Sequence, residues 1–499
     1  MLKSKIILIL IFLLPLFTFS QNEKWPAEKL KQDLTIFKQI REKANSGVYK
    51  YRTKKEIDSI YSWAFLEISK PRTLLDFYKI MLKITDFEGS LHNDTTLPDD
   101  FLNKYSSGNL FFPYPVKLVE NKLIVNFQNS EIPLGSQIHS INKIKTNTLL
   151  GVFHKYYTTD GYNISGKSIG IGSSFAKYFE MEYGSQKAFV VEYSLPNQTE
   201  KITKTVAGIS NDVRKGNFKN RHSLPIDSLQ YGKIKTKYSF KVISSNTSLL
   251  TINTFAIGRN AKDKEHLIYK KYLDSCFQYL SNNSQIKNLI VDVRNNGGGT
   301  DPNDILTFSY LTQKPYRENS SAYVNFQQIP FPEYLVYEET EPQKQKEERK
   351  DFEDEVKEEF PTLMNQKYIQ DQKFNLVLQP DKNSFKGQIY LLISPRIASA
   401  GSLFASLVAG NTNAIVIGEE TMGGYFGHNG HTPIEYELPN TKIKTQFSIV
   451  NLEQDVPKKA NQIFARGIIP DHEVKQTLED FMQNKDTQFE YTLKLIEQE

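Results

Sequence analysis

The 499-residue sequence holds one cysteine, Cys276. A single thiol excludes an internal disulfide framework and any cysteine-rich zinc or iron–sulfur site. A dominant charge is missing too: 62 Lys plus Arg face 57 Asp plus Glu, and a net +5 on so large a surface gives no ground for a nucleic-acid partner. No internal repeat is visible, and beyond the first twenty residues no apolar run is long enough to span a bilayer. What remains is globular material. With 39% hydrophobic and 12% aromatic residues the chain can fill ordinary cores, and its length corresponds to two to four domains of ~100–200 residues each.

Residues 1–20 stand apart. Lys3 and Lys5 precede the apolar run Ile6 to Phe17, and Thr18-Phe19-Ser20 follows. A basic head, a short apolar middle and a small-residue end form a secretory signal, with cleavage expected after Ser20. The mature protein is then exported, periplasmic or extracellular, with no stable membrane insertion. A lone thiol fits an oxidising compartment.

From 21 to 110 the texture is helical, with apolar Leu74, Leu75, Tyr78, Met81, Leu82 and Ile84 three and four apart. Residues 111–205 alternate in the β manner, as in Lys122 to Phe127 and Ile132 to Asn142. The string Gly135-Ser136-Gln137-Ile138-His139-Ser140-Ile141-Asn142 resembles the mid-domain strand of a PDZ module. A polar, basic stretch over 206–247 reads as a linker. Apolar runs such as Leu249 to Phe255, Leu289 to Val293 and Ile389 to Ile393 then alternate with helical stretches, which makes 248–475 an α/β domain. A charged insertion spans about 315–375. Within it Glu338 to Glu359 carries eleven acidic and five basic residues, expected as a solvated helix or loop, with a lid over the site as the functional alternative. Residues 476–499 read as a surface helix.

Two segments carry chemistry. The first is the apolar strand Leu289 to Val293 running into Arg294-Asn295-Asn296-Gly297-Gly298-Gly299. Glycines let backbone N–H groups approach an anion closely, either a phosphate or the oxyanion of acyl transfer. The Lys-Ser/Thr of a phosphate loop and the spaced glycines of a dinucleotide fingerprint are missing, which favours the oxyanion. The second is Ile389 to Ile393 followed by Ser394-Pro395-Arg396-Ile397-Ala398-Ser399-Ala400-Gly401-Ser402. There Ser399 falls at a helix N-terminus, suited to a nucleophile but equally to plain helix capping.

Taken in order, Asp292-Val293-Arg294-Asn295-Asn296-Gly297-Gly298, Ala398-Ser399-Ala400, Gly418-Glu419-Glu420-Thr421-Met422-Gly423 and Arg466-Gly467-Ile468-Ile469-Pro470-Asp471 resemble the signatures of the tail-specific, or C-terminal-processing, serine peptidases. The resemblance covers roughly Ser248 to Val474, and a PDZ-like module ahead of it is the family's usual arrangement. It implies a multidomain α/β fold: an N-terminal helical segment, a PDZ-like β-domain and an α/β, crotonase-like ββα peptidase core. It also implies Ser399 as nucleophile, with Gly298 or Gly299 and the Ala400 N–H as oxyanion donors. Gly424 stands where the Ser-Lys members carry their general-base lysine. A Gly-Gly pair instead resembles the tricorn branch, whose base is a histidine from an N-terminal segment.

Of eight histidines only His92 lies in a suggestive string, Ser90-Leu91-His92-Asn93-Asp94, and by this resemblance it is the base. Ser90 is the supporting hydroxyl. An orienting acid is missing before the closing motif, leaving Glu419, Glu453 or Asp471 as substitutes, and Ser402 replaces the usual acid after Ser399. His428 and His431 are placed along the substrate cleft, without the carboxylate context of a metal pair, so no metal and no cofactor is expected.

The leading function is a serine peptidase acting on peptides or unfolded proteins. A binding protein on the same fold, weak or inactive in catalysis and taking an apolar ligand or peptide, is the alternative. A scaffold role through the PDZ-like region is a third.

Overall fold

The apolar runs become neighbours in one six-stranded sheet. Its strands lie in chain order: Tyr238–Val242, Thr247–Ile252, Asn288–Asp292, Gln388–Ile393, Ile415–Gly418 and His472–Glu473, all parallel except the first. The computed structural model describes residues 23–105, 108–222 and 236–498, so the expected signal, Met1 to Ser20, lies outside them. Among the described residues no helix is long and apolar enough to cross a membrane.

Side chains alternate across each strand, so each face of this sheet needs its own cover. Leu289, Val291, Ile389 and Leu391 pack with Leu273 and Phe277 of the helix Lys264–Asn282 and with Phe404 and Leu407 of the helix Ala400–Asn411. On the opposite face Ile290, Tyr390, Leu392 and Ile417 pack with Ile496 of the helix Thr487–Gln498. The expected C-terminal helix is thus two helices, Leu478–Gln483 and Thr487–Gln498, the second of which covers the sheet.

A second sheet runs Thr362–Met364, Lys367–Ile369, Asn319–Val324, Lys444–Gln454 and Asn429–Glu437, with Asp94–Thr96 paired to Lys444–Gln454. The helices Ala27–Ala44, Lys54–Glu67 and Leu74–Glu88 form as their apolar spacing predicts, but they do not build a core of their own. Phe37, Phe77 and Ile84 are buried together with Tyr436, Phe447 and Ile449 of this sheet. Each such side chain contributes about 1.5–3 kcal/mol by leaving water, which makes the N-terminal segment part of the peptidase unit.

The third sheet is antiparallel: Val116–Val119, Lys122–Val125, Gln137–Ile141, Ala188–Ser194 and Ile202–Ala207. The helices Thr146–Phe153 and Lys167–Tyr183 complete its core around Phe153, Phe175 and Phe179.

Two expectations need revision. The stretch read as a linker contains the helix Asn211–Lys219 and the edge strand Tyr238–Val242. Its scattered apolar residues had disguised both. The charged insertion is no appendage, because its strand Asn319–Val324 pairs with Lys444–Gln454 inside the second sheet. Glu338 to Glu359 does contain a solvated helix, Pro342–Glu359, anchored by buried Val356.

Candidate active site

Small residues between strand Gln388–Ile393 and helix Ala400–Asn411 allow a sharp reversal at Ser399, where φ is 51° and ψ is −136°. A β-carbon-bearing residue held there costs about 1–3 kcal/mol, so the surrounding packing must over-determine it. Ser399 occupies the N-cap position, yet its side chain makes no capping bond. Its Oγ lies 3.2 Å from Nε2 of His92 instead. Plain capping is thereby set aside.

His92 reaches this point because the helix Leu74–Glu88 ends at Gly89, whose φ of 74° turns the chain back. Strand Asp94–Thr96 then pins the far side of the turn to the second sheet. Gly89 is also a contact point: Gly161 donates its N–H to the Gly89 carbonyl at 2.7 Å, and a Cβ on Gly89 would stand 2.8 Å from the Gly161 carbonyl oxygen.

The residue before that glycine, Asp160, carried no signal in the sequence beyond an Asp-Gly turn. Completely buried, it accepts the Leu91 N–H at 3.0 Å on one carboxylate oxygen and the Gly424 N–H at 2.9 Å on the other. It therefore clamps the His92 turn to the Gly423-Gly424 turn. Burial pushes its pKa up to about 7, against the pull of those two N–H groups.

The imidazole of His92 is held neutral. Burial, and then the charge on His431, lower its pKa to about 4. Among the described residues no acid orients it: Nδ1 is buried without a hydrogen bond of normal geometry, although the backbone of Asn429 lies close enough to favour the protonated ring. None of Glu419, Glu453 and Asp471 acts there, and Asp471 is occupied by the Val416 N–H and Asn461. Ser90 supports the backbone and not the ring, its Oγ accepting the His92 N–H at 3.4 Å. The ring instead lies against His428, 4.9 Å between centroids. His428 is kept well below its ordinary pKa by burial first, and further by the neighbouring charges of His431 and Lys50.

Of the expected oxyanion donors, Ala400 and Gly299 have N–H groups with no acceptor among the described residues, and both line the cavity at Ser399. Gly298 is different. Its N–H is donated to Asn296 Oδ1 at 2.9 Å, so it is no free donor, and its part is steric: a Cβ there would stand 2.7 Å from the Ser399 Cβ. The cavity, about 890 Å³, is also lined by His92, His428 and His431. No residue of the charged insertion lines it, which removes the lid reading for Glu338 to Glu359 in this arrangement.

The remaining motif residues are structural. Arg294 is buried and bridges Asp292 to Asp486, tying the glycine turn to the C-terminal helices. Arg466 pairs with Glu420, whose carboxylate also takes the Gly467 N–H, so the third and fourth motifs lock one another. Ser402 Oγ donates to the Ser399 carbonyl at 2.7 Å, bracing the turn where an acid is usual. Gly424 offers no base, and His92 is the hydrogen-bond partner of Ser399 Oγ.

A serine at a strained strand-to-helix turn, bonded to an imidazole beside free backbone N–H groups, defines a serine hydrolase site. Residues 246–474 match the family described as Peptidase family S41, so the chain carries a serine peptidase domain of the S41, or tail-specific protease, group. Among solved structures, mature CPAF complexed with lactacystin is similar over 94% of this chain and 97% of that one, at 13% identity and a TM-score of 0.56. Mature CPAF alone is similar over 92% and 94%, at 12% identity and 0.54. At those identities the likeness is one of fold. The crystal structure of the tricorn protease is similar over 94% of this chain and 36% of that one, at 16% identity and 0.36. No curated protein matches the sequence.

Proposed function

We propose that the protein is an exported serine endopeptidase that forms an acyl-enzyme on Ser399 with His92 as general base, in the manner of the tricorn branch. The observation that carries this reading is the 3.2 Å approach of His92 Nε2 to Ser399 Oγ. Nε2 takes the serine proton as Oγ attacks the peptide carbonyl, which requires the ring's remaining proton to sit on Nδ1. The developing oxyanion is received by the N–H groups of Ala400 and Gly299 at the positive end of the helix Ala400–Asn411. The imidazolium then gives its proton to the leaving amine, and water, deprotonated by the same nitrogen, releases the acyl group. Substrates are peptides or unfolded proteins, and the antiparallel sheet of 116–207 serves as a PDZ-like module presenting an edge for strand addition. Export rests on the signal-like residues 1–20.

Labelling by a fluorophosphonate probe tests the assignment, because only an activated serine reacts. Wild type is expected to label and to cleave an unstructured peptide, whereas Ser399→Ala and His92→Ala lose both to a similar degree, since such pairs act as a unit. Peptide turnover retained by Ser399→Ala would remove the proposal. A folded wild type that never labels would favour the binding-protein alternative.

A further inference from the structure

Beside the Ser–His pair lies a second cluster that peptide hydrolysis does not use. Asp301 follows the glycine turn, Glu318 precedes strand Asn319–Val324, and His431 sits on strand Asn429–Glu437. One ligand-type atom from each lies within 4.8 Å of the other two. His431 Nδ1 is 3.4 Å from Asp301 Oδ2, and its Nε2 is 3.8 Å from Glu318 Oε1. Both separations are long for a settled hydrogen bond.

The cluster is also rich in carboxyl groups: one imidazole faces Asp301 and Glu318, and a third carboxyl, Asp304, lies within electrostatic reach of all three residues. Asp304 is 1% exposed, and neither of its oxygens has a hydrogen bond of normal geometry among the described residues, although the backbone of Ile305 lies close enough to favour the charged form. Oε1 of Glu318 is likewise buried without a hydrogen bond, its nearest opposite group being His431 at 3.8 Å. Buried carboxylates without partners are costly, and a cation is the simplest group that satisfies several at once.

We propose that Asp301, Glu318 and His431 form a binding site for a divalent transition-metal ion of the zinc type, with Asp304 as the carboxylate behind them. One imidazole nitrogen with two carboxylate oxygens is a donor set that such borderline ions accept. Asp301 and His431 also line the Ser399 cavity, so the remaining coordination positions open toward it. Read as sequence, His428 and His431 had no carboxylates near them. The fold supplies those from distant segments, and it gives them to His431 alone. A bound ion would join the chain two residues after Gly299 to two strands of the second sheet, making the oxyanion turn responsive to metal. The site stands whether or not Ser399 is the nucleophile, because its occupancy is read without activity.

The test is calorimetric titration of the full chain with zinc chloride, accompanied by thermal melting with and without zinc. One ion per chain and a raised melting temperature are expected. Glu318→Gln and His431→Gln, on separate segments, should each weaken binding at least ~10-fold, while His472→Gln, whose imidazole meets Tyr491 elsewhere, should not. Should one of the two variants fail to fold, the other decides, together with the wild-type melting shift. No saturable binding up to ~1 mM, or wild-type affinity in both variants, would overturn the site.

Discussion

Asp160→Asn separates the clamp beneath His92 from the charge it carries. Both carboxylate oxygens of Asp160 accept backbone N–H groups, Leu91 at 3.0 Å and Gly424 at 2.9 Å, and the side chain is fully buried. Burial raises its pKa to about 7, whereas an unfolded aspartate ionises near ~3.9. Between those values the folded chain holds a proton that the unfolded chain has released, so stability falls as pH rises through that window and levels off above about 7. At ~1.4 kcal/mol for each tenfold in proton affinity, the loss is about 4 kcal/mol.

Asparagine never ionises and escapes that loss. Its amide has one acceptor oxygen, however, so either the Leu91 or the Gly424 N–H is left facing an NH₂, at about 1–3 kcal/mol. The variant should therefore be less stable than wild type near pH ~4 by that amount, and more stable by roughly 1–3 kcal/mol above pH ~7. Activity moves the other way. With one arm of the clamp gone, the His92 turn is no longer held to the Gly424 turn, and a displacement of about 1 Å at the base costs about 100-fold in rate. Urea unfolding of both proteins across this pH range, with kcat/KM measured at its alkaline end, reads both effects. A stability gap that does not change with pH would mean that Asp160 is charged throughout. Activity within twofold of wild type would mean that the clamp does not position His92.

Two further outcomes follow from the same geometry. The base must be neutral to act, and burial with the His431 charge lowers His92 to about 4, so kcat/KM should rise with pH through about 4. In chelated buffer His431→Gln should move that limb upward, because a repelling charge is removed; a wild-type limb near the ordinary ~6.5 would refute the burial argument. Gly298→Ala places a Cβ 2.7 Å from the Ser399 Cβ at a backbone φ of 103°. Loss of at least ~100-fold in probe labelling is expected, with the fold retained by circular dichroism; ordinary labelling would show that the turn has room to spare.

How much of this was legible in the sequence differs residue by residue. Ser399 could be placed from local rules alone, because a buried strand, a run of small residues and an apolar helix pattern leave one position at the helix start. Gly298 or Gly299 and Ala400 came as donors from the resemblance, and of these Gly299 and Ala400 have N–H groups with no acceptor among the described residues. Gly298 does not, because its N–H is taken by the side chain of Asn296, a contact that glycine counting does not anticipate. His92 could be singled out only by resemblance, as nothing local distinguishes it from seven other histidines. Asp160 was invisible: its role is to accept two N–H groups from segments 69 and 264 residues away. The carboxylates around His431 were hidden for the same reason, as they come from segments that meet only when the second sheet closes on the glycine turn.

These long separations have a consequence for when the site exists. Ser399 and His92, the proposed nucleophile and base, are 307 residues apart, and the clamp between them belongs to neither of their segments. The helix start at Ser399 and the glycine turn belong to the α/β core, where the turn is tied to Ile252, Phe255 and Ala398 and, through Arg294, to Asp486 between the C-terminal helices. The imidazole cannot arrive until Phe37, Phe77 and Ile84 have been buried against the second sheet and Gly161 has met Gly89. A chain with only its α/β core folded would thus possess the glycine turn and the strained serine but not His92, the proposed base. The fold of the α/β core alone does not complete the Ser399–His92 pair, which also needs the N-terminal segment docked on the second sheet.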